Sequence, residues 1–528
     1  YPYILNLLHF IFQFRGKYSC MSFNRLDQLR KLNETFDICI IGGGATGAGV
    51  ALDATLRGYK VLLIEKGDFA CQTSSKSTKL VHGGVRYLEQ AVKKLDWHQF
   101  KMVYKALHER KILLKNAPHL AHPLGLLTPC YTRWERLYYR IGMWLYDKIS
   151  GSTNLKSSRG LSKKEIQAEF PSIESHQLRG GVLYYDGQLN DARYALSILK
   201  EAERLGACIL NYASLDSFEL GAKSLKIKKV VFSDLLSKET FTIPVKAVVN
   251  ATGPFTDKIR ALANPRMKPR MKVSRGAHVV LPAEFWQGET ALLIPKTDDG
   301  RVIFVIPWRD YVLVGTTDDP DTLSESPVIL ESEKEYLISY FNRYSSKKAT
   351  LMDISATFVG QRPLLQAQLD STLNTDTKSL VRDHEVEVDG RSKLVSIMGG
   401  KWTTYRVMAS DTLDVLEKEV LNVPTKPCLT KDHVLVPVSA VALPASVEPD
   451  IRTHLEEIYG PAAGEVYGYG ADRILPNQPY IVGELTYLKE HEMAITWEDV
   501  LERRWGISIR DEALAEKLKT IKKEAFAS

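Results

Sequence analysis

Residues 36–69, FDICIIGGGATGAGVALDATLRGYKVLLIEKGDF, constrain this chain more tightly than any other stretch. An apolar run at 38–41 reads as a buried strand. Three glycines follow in GxGxxG spacing, Gly42, Gly44 and Gly47, and then come a small-residue helix and a second apolar strand ending at Glu65. The first glycine permits a tight turn and the second lets backbone approach a pyrophosphate. The third lets helix pack closely on strand. The phosphates of a dinucleotide then meet the free N–H groups and positive dipole end of the helix. Glu65 lies near the distance of about 20 residues at which an acid holds a ribose hydroxyl, and an acid there disfavours a 2′-phosphate.

The stretches that follow depart from the plain strand and helix alternation of a nicotinamide enzyme. DFACQTSSKSTKLVHGGVRYLE is a long polar loop with small residues. Later, VVNATGPFTD supplies a buried strand ending at Ala251, Thr252 and Gly253, and VSIMGGKWTTYR supplies another strand, glycine turn and helix start. Each alone reads equally as a structural turn. Together, three returns to one region suit a large, elongated cofactor.

Between these returns lie other elements. An amphipathic helix is expected over 88–117, ended by Pro118 and Pro123, and another over 133–150. KKEIQAEFPSI and DARYALSILKEAERLGA read as two more, the second capped by Asn190 or Asp191 and stopped at Gly206. AHVVLP, TALLIP, RVIFVIPW and YVLVGTTD, roughly 273–318, read as antiparallel strands. A helix follows around EKEYLISYFNRY, and from about Pro424 the texture is helical.

At 528 residues the chain is long enough for two or three domains. Its net charge of +7 comes from bases interleaved with nearly as many acids, which gives no footprint for nucleic acid but suits an anionic substrate or surface. Six scattered cysteines, with no CxxC pair or partner histidines, point to a reducing compartment and no structural metal. YPYILNLLHFIFQF at the N-terminus is apolar but shorter than the roughly 20 residues that span a bilayer. Residues 1–20 read as an upstream or processed extension; a membrane-seeking anchor and a remnant targeting peptide are the alternatives.

SSKSTKLVHGGVRYLEQ, SRGAHVVLP, RVIFVIPW with VGTTD, GQRPL, GGKWTTYR and the terminal ERRWGIS together resemble the FAD-dependent glycerol-3-phosphate dehydrogenases, within the wider family of flavoproteins that includes D-amino acid oxidase. The resemblance runs from about residue 36 to the C-terminus. It implies an α/β fold: a Rossmann-like FAD-binding domain of the glutathione-reductase type, an inserted antiparallel-sheet substrate domain and a helical C-terminal domain. The expected boundaries are an extension (1–30), three portions of the FAD-binding domain (31–111, 186–271, 351–423), a helical substrate-side insertion (112–185), the antiparallel domain (272–350) and the C-terminal domain (424–528). The implied reaction is hydride transfer from C2 of sn-glycerol 3-phosphate to flavin N5, giving dihydroxyacetone phosphate, with electrons passed to a quinone.

A phosphorylated substrate needs fixed cations, and arginine offers a planar fork to phosphate oxygens. Arg86 and Arg362, at family-matching positions, are the expected clamp. Tyr87, Lys401 and Arg301 are expected in the same pocket. Alcohol oxidation needs a base for the hydroxyl proton, and histidine is the usual one. His278 occupies the family position facing the flavin, with His82 as second choice; Trp308, Phe304 and Tyr405 read as packing residues. The FAD, expected to be held non-covalently, would meet Gly42, Gly44 and Gly47 at its pyrophosphate and Glu65 at its ribose. Ser74, Ser75 and Thr78 would lie near the flavin, with Gly253 and Gly400 in close approach. The helix after Gly400 would direct its positive end at the flavin pyrimidine. For every arginine, a solvated or salt-bridged surface position is the ordinary alternative.

A quinone acceptor implies contact with a membrane surface. Within 133–150, Trp134, Leu137, Tyr138, Ile141, Trp144 and Leu145 fall along one helical side and Arg133, Arg136 and Arg140 along another; NPRMKPRMKVSR, residues 264–275, adds a basic patch. The expected location is cytoplasmic and peripheral on the inner leaflet of a bacterial membrane, or the inner mitochondrial membrane in a eukaryote, and a homodimer is left open. A buried stripe and a solvated loop are the competing readings of these two segments. Competing functions are a glycerol-3-phosphate oxidase releasing hydrogen peroxide, an amine or amino-acid oxidase, and a flavin-binding protein without chemistry.

Overall fold

The computed structural model of the protein describes residues 23–85, 88–89, 96–366, 383–435, 441–521 and 525–526. The N-terminal stretch 1–20 lies outside them, as do Arg86 and Tyr87.

Two sheets organise the described chain. In the first, the strand order is His384–Val388, Val395–Gly399, Thr240–Asn250, Phe36–Ile41, Val61–Ile64, Cys208–Leu210. Phe36–Ile41 pairs in parallel with Val61–Ile64 on one side and Thr240–Asn250 on the other. The outer pairs with Cys208–Leu210 and Val395–Gly399 are also parallel, whereas His384–Val388 runs against its neighbour and Ile227–Asp234 and Ala213–Leu220 extend Thr240–Asn250 in antiparallel fashion. Ile38, Cys39, Ile40 and Val61 to Ile64 are buried, as the continuous apolar runs require of strands covered on both faces. Helices Ala45–Leu56, Asp191–Arg204 and Tyr405–Leu416 pack together over this sheet. Asn190 caps the second of them by accepting from the Arg193 N–H, and Gly206 follows its end at φ +109°.

Met271–Pro282 is the spine of the second sheet. Ala356–Leu365 lies along one edge of it, and Tyr311–Gly315 and Asp319–Asp321 along the other. The sheet continues through Ile303–Trp308, Ala291–Ile294, Ala121–Cys130, Gly180–Leu189 and Leu80–Val81, and Arg159–Ser162 also pairs with Gly180–Leu189.

Segment 112–185, expected as a helical insertion, therefore supplies strands to this sheet as well as helices Arg133–Ser150 and Lys163–Glu169. Pro123 and Pro129 mask the strand Ala121–Cys130, because proline removes a ladder donor. The strand tolerates them because only Leu126 and Leu127 pair on both sides, with Ala291 and Leu292 across one edge and Tyr184 and Leu183 across the other.

The C-terminal region is helical, with Pro449–Tyr459, Val482–Glu492 and Glu512–Ile521 closing around Leu455, Val466 and Trp497. Charged pairs attach it to the rest. Asp68, after the second strand, receives Arg503 Nε at 2.6 Å and Arg504 Nη1 at 2.5 Å, and Arg193 pairs with Glu492. The two arginines beside Asp68 outweigh its burial and hold its carboxyl down at about 2. Among the described residues no helix is long and apolar enough to cross a membrane.

Candidate active site

A cavity of about 1570 Å³ lies between the two sheets. One wall is made where the parallel strands end, at Ile41–Gly42, Ile64–Glu65, Ala251–Gly253 and Gly399–Gly400. This is the carboxyl edge at which open α/β sheets bind ligands. The other wall comes from the second sheet, with Gly276, His278, Phe304, Thr316, Gly360 and Arg362.

The glycine loop is as tight as its spacing requires. A β-carbon at Gly47 would lie 1.8 Å from the Gly42 carbonyl oxygen, and one at Gly42, whose φ is +107°, would lie 2.7 Å from the Ala251 carbonyl. Gly44 stands at the cap of helix Ala45–Leu56 with no side chain to fill the space over the helix N-terminus, whose first N–H is taken by Ser74. Glu65 binds the loop itself: Gly43 N–H donates to its Oε2 at 2.6 Å and Gly67 N–H to its Oε1 at 2.9 Å. Burial pushes its carboxyl up, opposed by those backbone donors. These residues and a cavity reaching across both sheets fit an extended dinucleotide such as FAD.

The polar loop turns over this wall. Ser74 Oγ accepts from the Ala45 N–H at 2.9 Å, and the Ser74 carbonyl accepts from Trp402 Nε1 at 2.9 Å. Thr78 lines the cavity and its Oγ1 lies 3.0 Å from His278 Nε2. Ser75 does not line the cavity. The short 3-10 turn Thr73–Ser75 points its side chain inward, where Oγ donates to the Gln72 carbonyl at 3.4 Å. Gly253, Gly400 and Lys401 lie on the cavity wall, and so does His82.

Strand register brings the substrate-side residues together. Arg362 lies opposite Ser274, and His278 lies opposite Phe358. Positions 274, 276 and 278 share one face with 358, 360 and 362, because side chains alternate along a strand. Gly276 leaves the space that the Arg362 guanidinium fills, since a β-carbon there would lie 2.5 Å from Nη2. That guanidinium is aimed by Thr316 Oγ1 and the Thr317 carbonyl, each 3.0 Å from Nη2, and by Asp318, 3.2 Å from Nη1. His278 is buried and stacks on Phe358 with ring centres 4.6 Å apart. Burial, then Arg362 and Lys79, push its pKa well below the usual 6.5, so the imidazole is neutral at neutral pH. Its Nδ1 has no hydrogen-bond partner among the described residues.

Arg301 reaches the cavity wall but is committed to carboxylates, with Nη2 2.6 Å from Asp319 and Nε 2.8 Å from Asp299. Phe304 lines the cavity, whereas Tyr405 is buried against Tyr194 and Trp402. Lys79, Trp402 and Asp318 carry no role of their own in the sequence reading, and Asp191 enters it only as a helix cap. Lys79 and Asp191 carry no sign in the sequence that they meet, because they lie 112 residues apart and no local pattern joins them.

A model of the FAD dependent oxidoreductase family matches residues 37–406. The chain is 39% identical over 522 residues to the mitochondrial glycerol-3-phosphate dehydrogenase of Mesocricetus auratus, covering 93% of this chain and 70% of that protein. The chain belongs to the FAD-dependent glycerol-3-phosphate dehydrogenase family. Another mitochondrial glycerol-3-phosphate dehydrogenase, from Arabidopsis thaliana, is 37% identical and spans 91% of this chain and 80% of its own length. A solved member, the glycerol-3-phosphate dehydrogenase from Bacillus halodurans complexed with FAD, superposes with a TM-score of 0.72 at 30% identity, covering 93% of this chain and 90% of that one. A model of the C-terminal domain of alpha-glycerophosphate oxidase matches residues 391–524. The cofactor of this glycerol-3-phosphate dehydrogenase family member is FAD.

Proposed function

We propose that the protein oxidises sn-glycerol 3-phosphate to dihydroxyacetone phosphate and passes the electrons to a membrane quinone. The observation that carries this reading is the placement of His278 and Arg362 on one face of the substrate sheet, across the cavity from the glycine loop. Bound FAD supplies the two-electron acceptor for the hydride that leaves C2.

Arg362, aimed by Thr316 and Asp318, binds the substrate phosphate through its planar fork, and Lys401 adds a second cation at the wall. The neutral His278 accepts the hydroxyl proton as the carbonyl forms. The incoming phosphate, with a charge of about −1.5 to −2, offsets the cations that otherwise resist an imidazolium there. Thr78 fixes the ring through Nε2. Arg86 and Tyr87 keep the clamp and donor roles that the family resemblance implies.

The route to a quinone is supported by helix Arg133–Ser150. Trp134, Ile141 and Trp144 are 79%, 57% and 56% exposed, beside Leu137 and Tyr138, whereas Leu145 packs inward. Arg133 and Arg140 are exposed on the same helix and Arg136 is half-buried. An apolar stripe flanked by arginines suits the interface of an anionic bilayer. The basic segment 264–275 contributes less than its composition promised, because Arg270 is spent on Glu385 and Glu387. The mitochondrial names of the relatives support an inner mitochondrial membrane location.

Adding glycerol 3-phosphate anaerobically to the yellow holoenzyme tests the reading. Bleaching of the flavin band is expected, and its absence, with turnover of amino acids instead, would sink the proposal. The match to a glycerophosphate oxidase domain favours oxygen as a second candidate acceptor. Electron transfer to a quinone analogue without stoichiometric peroxide separates the two.

A further inference from the structure

Lys79 is 1% exposed and adopts φ +58°. Its Nζ donates to Asp191 Oδ1 and to the Ser75 carbonyl, each at 2.6 Å. The ammonium also sits 5.3 Å from the ring centre of Trp308 and 5.4 Å from that of Phe358, the ring on which His278 stacks. A methionine would fill such an apolar slot without the desolvation that a buried ammonium costs. The other Asp191 oxygen gathers the same turn, accepting from Ser77 Oγ at 2.6 Å and Ser77 N–H at 3.2 Å. Thr78, between Ser77 and Lys79, is thereby held with Oγ1 against His278 Nε2.

We propose that Lys79 is a positioning residue for His278: paired with Asp191, it fixes Thr78 against the imidazole and balances a carboxylate that would otherwise draw a proton onto that ring. The inference deepens the proposed function, because it explains what keeps the assigned base unprotonated. Two cations act on His278, Arg362 from strand Ala356–Leu365 and Lys79 from the turn below, after burial itself. Asp318 accompanies the first and Asp191 the second. Asp191, Lys76 and Glu502 are in turn the charged groups that act on Lys79, whose own pKa burial pushes down. Lys76 is paired with Glu502, so that pair adds little net field. Arg362 lines the cavity in which substrate would bind, whereas Lys79 is buried behind the wall and can act only through its neighbours.

The test is a titration of His278 in the FAD-loaded enzyme without turnover, read by NMR of ¹⁵N-labelled histidine, the resonance being assigned by its loss in His278→Asn. The variants are Lys79→Met/Asp191→Asn, which removes both charges, and the milder Lys79→Gln, which keeps a donor to Ser75 and Asp191. The expected result in Lys79→Gln, where Asp191 is left unbalanced, is an upward move of the His278 midpoint by about one pH unit or more, with a much smaller move in the double variant, which loses a neutral pair. In Lys79→Gln the acid limb of kcat/KM should move to higher pH with it, and Lys79→Arg should leave the limb in place. An unmoved His278 midpoint in folded, FAD-loaded Lys79→Gln, or an equal move in the double variant, overturns the proposal. Failure of both to fold assigns Lys79 to stability alone and overturns it equally. Unimpaired bleaching in His278→Asn would instead overturn the role of His278 as base, while the effect of Lys79 on the ring would stand.

Discussion

Trp402 and Ser74, 328 residues apart, are joined by one hydrogen bond from indole Nε1 to a main-chain carbonyl, 2.9 Å long. Ser74 in turn accepts from the first N–H of the helix after the glycine loop. The last glycine turn and the first are thus linked through a single residue of the polar loop, and all three face the cavity.

Trp402→Phe keeps the edge contacts with Tyr194 and Tyr405 but removes that donor. A hydrogen bond of this kind contributes about 1 kcal/mol, so affinity for FAD should fall about fivefold. Quenching of FAD fluorescence by apoprotein measures it.

Gly47→Ala puts a methyl against the Gly42 carbonyl. The chain should purify with little or no flavin, seen as a collapsed 450 nm band relative to protein absorbance. Full FAD content in this variant would contradict the packing of the loop.

Arg362→Lys keeps a charge but loses the planar fork that Thr316 and Asp318 aim. Loss of a charge-assisted pair of bonds costs about 1.5–3 kcal/mol, a rise of roughly 10- to 150-fold in KM for glycerol 3-phosphate. Steady-state kinetics should show a much smaller change in kcat.

Asp68→Asn leaves Arg503 and Arg504 buried beside a neutral amide. Breaking such a buried network costs about 3–5 kcal/mol, read as a lowered Tm. The pH dependence has a definite sign. The carboxyl falls from 3.8 to about 2 on folding, so its contribution is complete above about pH 4 and drains away as pH drops towards 2. The variant should lose that portion of the acid limb of Tm against pH.

Trp134→Ser/Ile141→Ser/Trp144→Ser removes the most exposed part of the apolar stripe. Each side chain is worth about 1.5–3 kcal/mol when buried in an apolar phase. Cosedimentation with anionic vesicles should fall more than tenfold, while activity with a soluble acceptor is retained.

Local chemistry made much of this legible in the sequence. GxGxxG with Glu65 specified the cofactor wall, because Gly47 answers the Gly42 carbonyl five residues before it and Glu65 binds the loop through Gly43. The helix at 133–150 was readable to its ends, since Thr132 and Glu135 form a capping box at its start. What stayed hidden depends on long-range meetings. The prolines of Ala121–Cys130 concealed a strand whose tolerance for them comes from where its second neighbour stops. Ser75 sits in the same polar run as Ser74 and Thr78, and only the 3-10 turn decides that it points inward. Lys79 and Asp191 are separated by 112 residues, and no local pattern marks either as the other's partner.

Thr240–Asn250 lies between Phe36–Ile41 and Val395–Gly399 in the parallel sheet. During synthesis, the cofactor wall therefore stays incomplete until residues near 400 have left the ribosome, and Val249 and Asn250 wait with one side unpaired. The strands of the second sheet are interleaved with those of the first along the chain, and its last, Ala356–Leu365, is made before His384–Val388 and Val395–Gly399 complete the first. A nascent chain stalled before Val395 would expose an apolar edge that chaperones must cover, which makes the birth of this enzyme a late, concerted event.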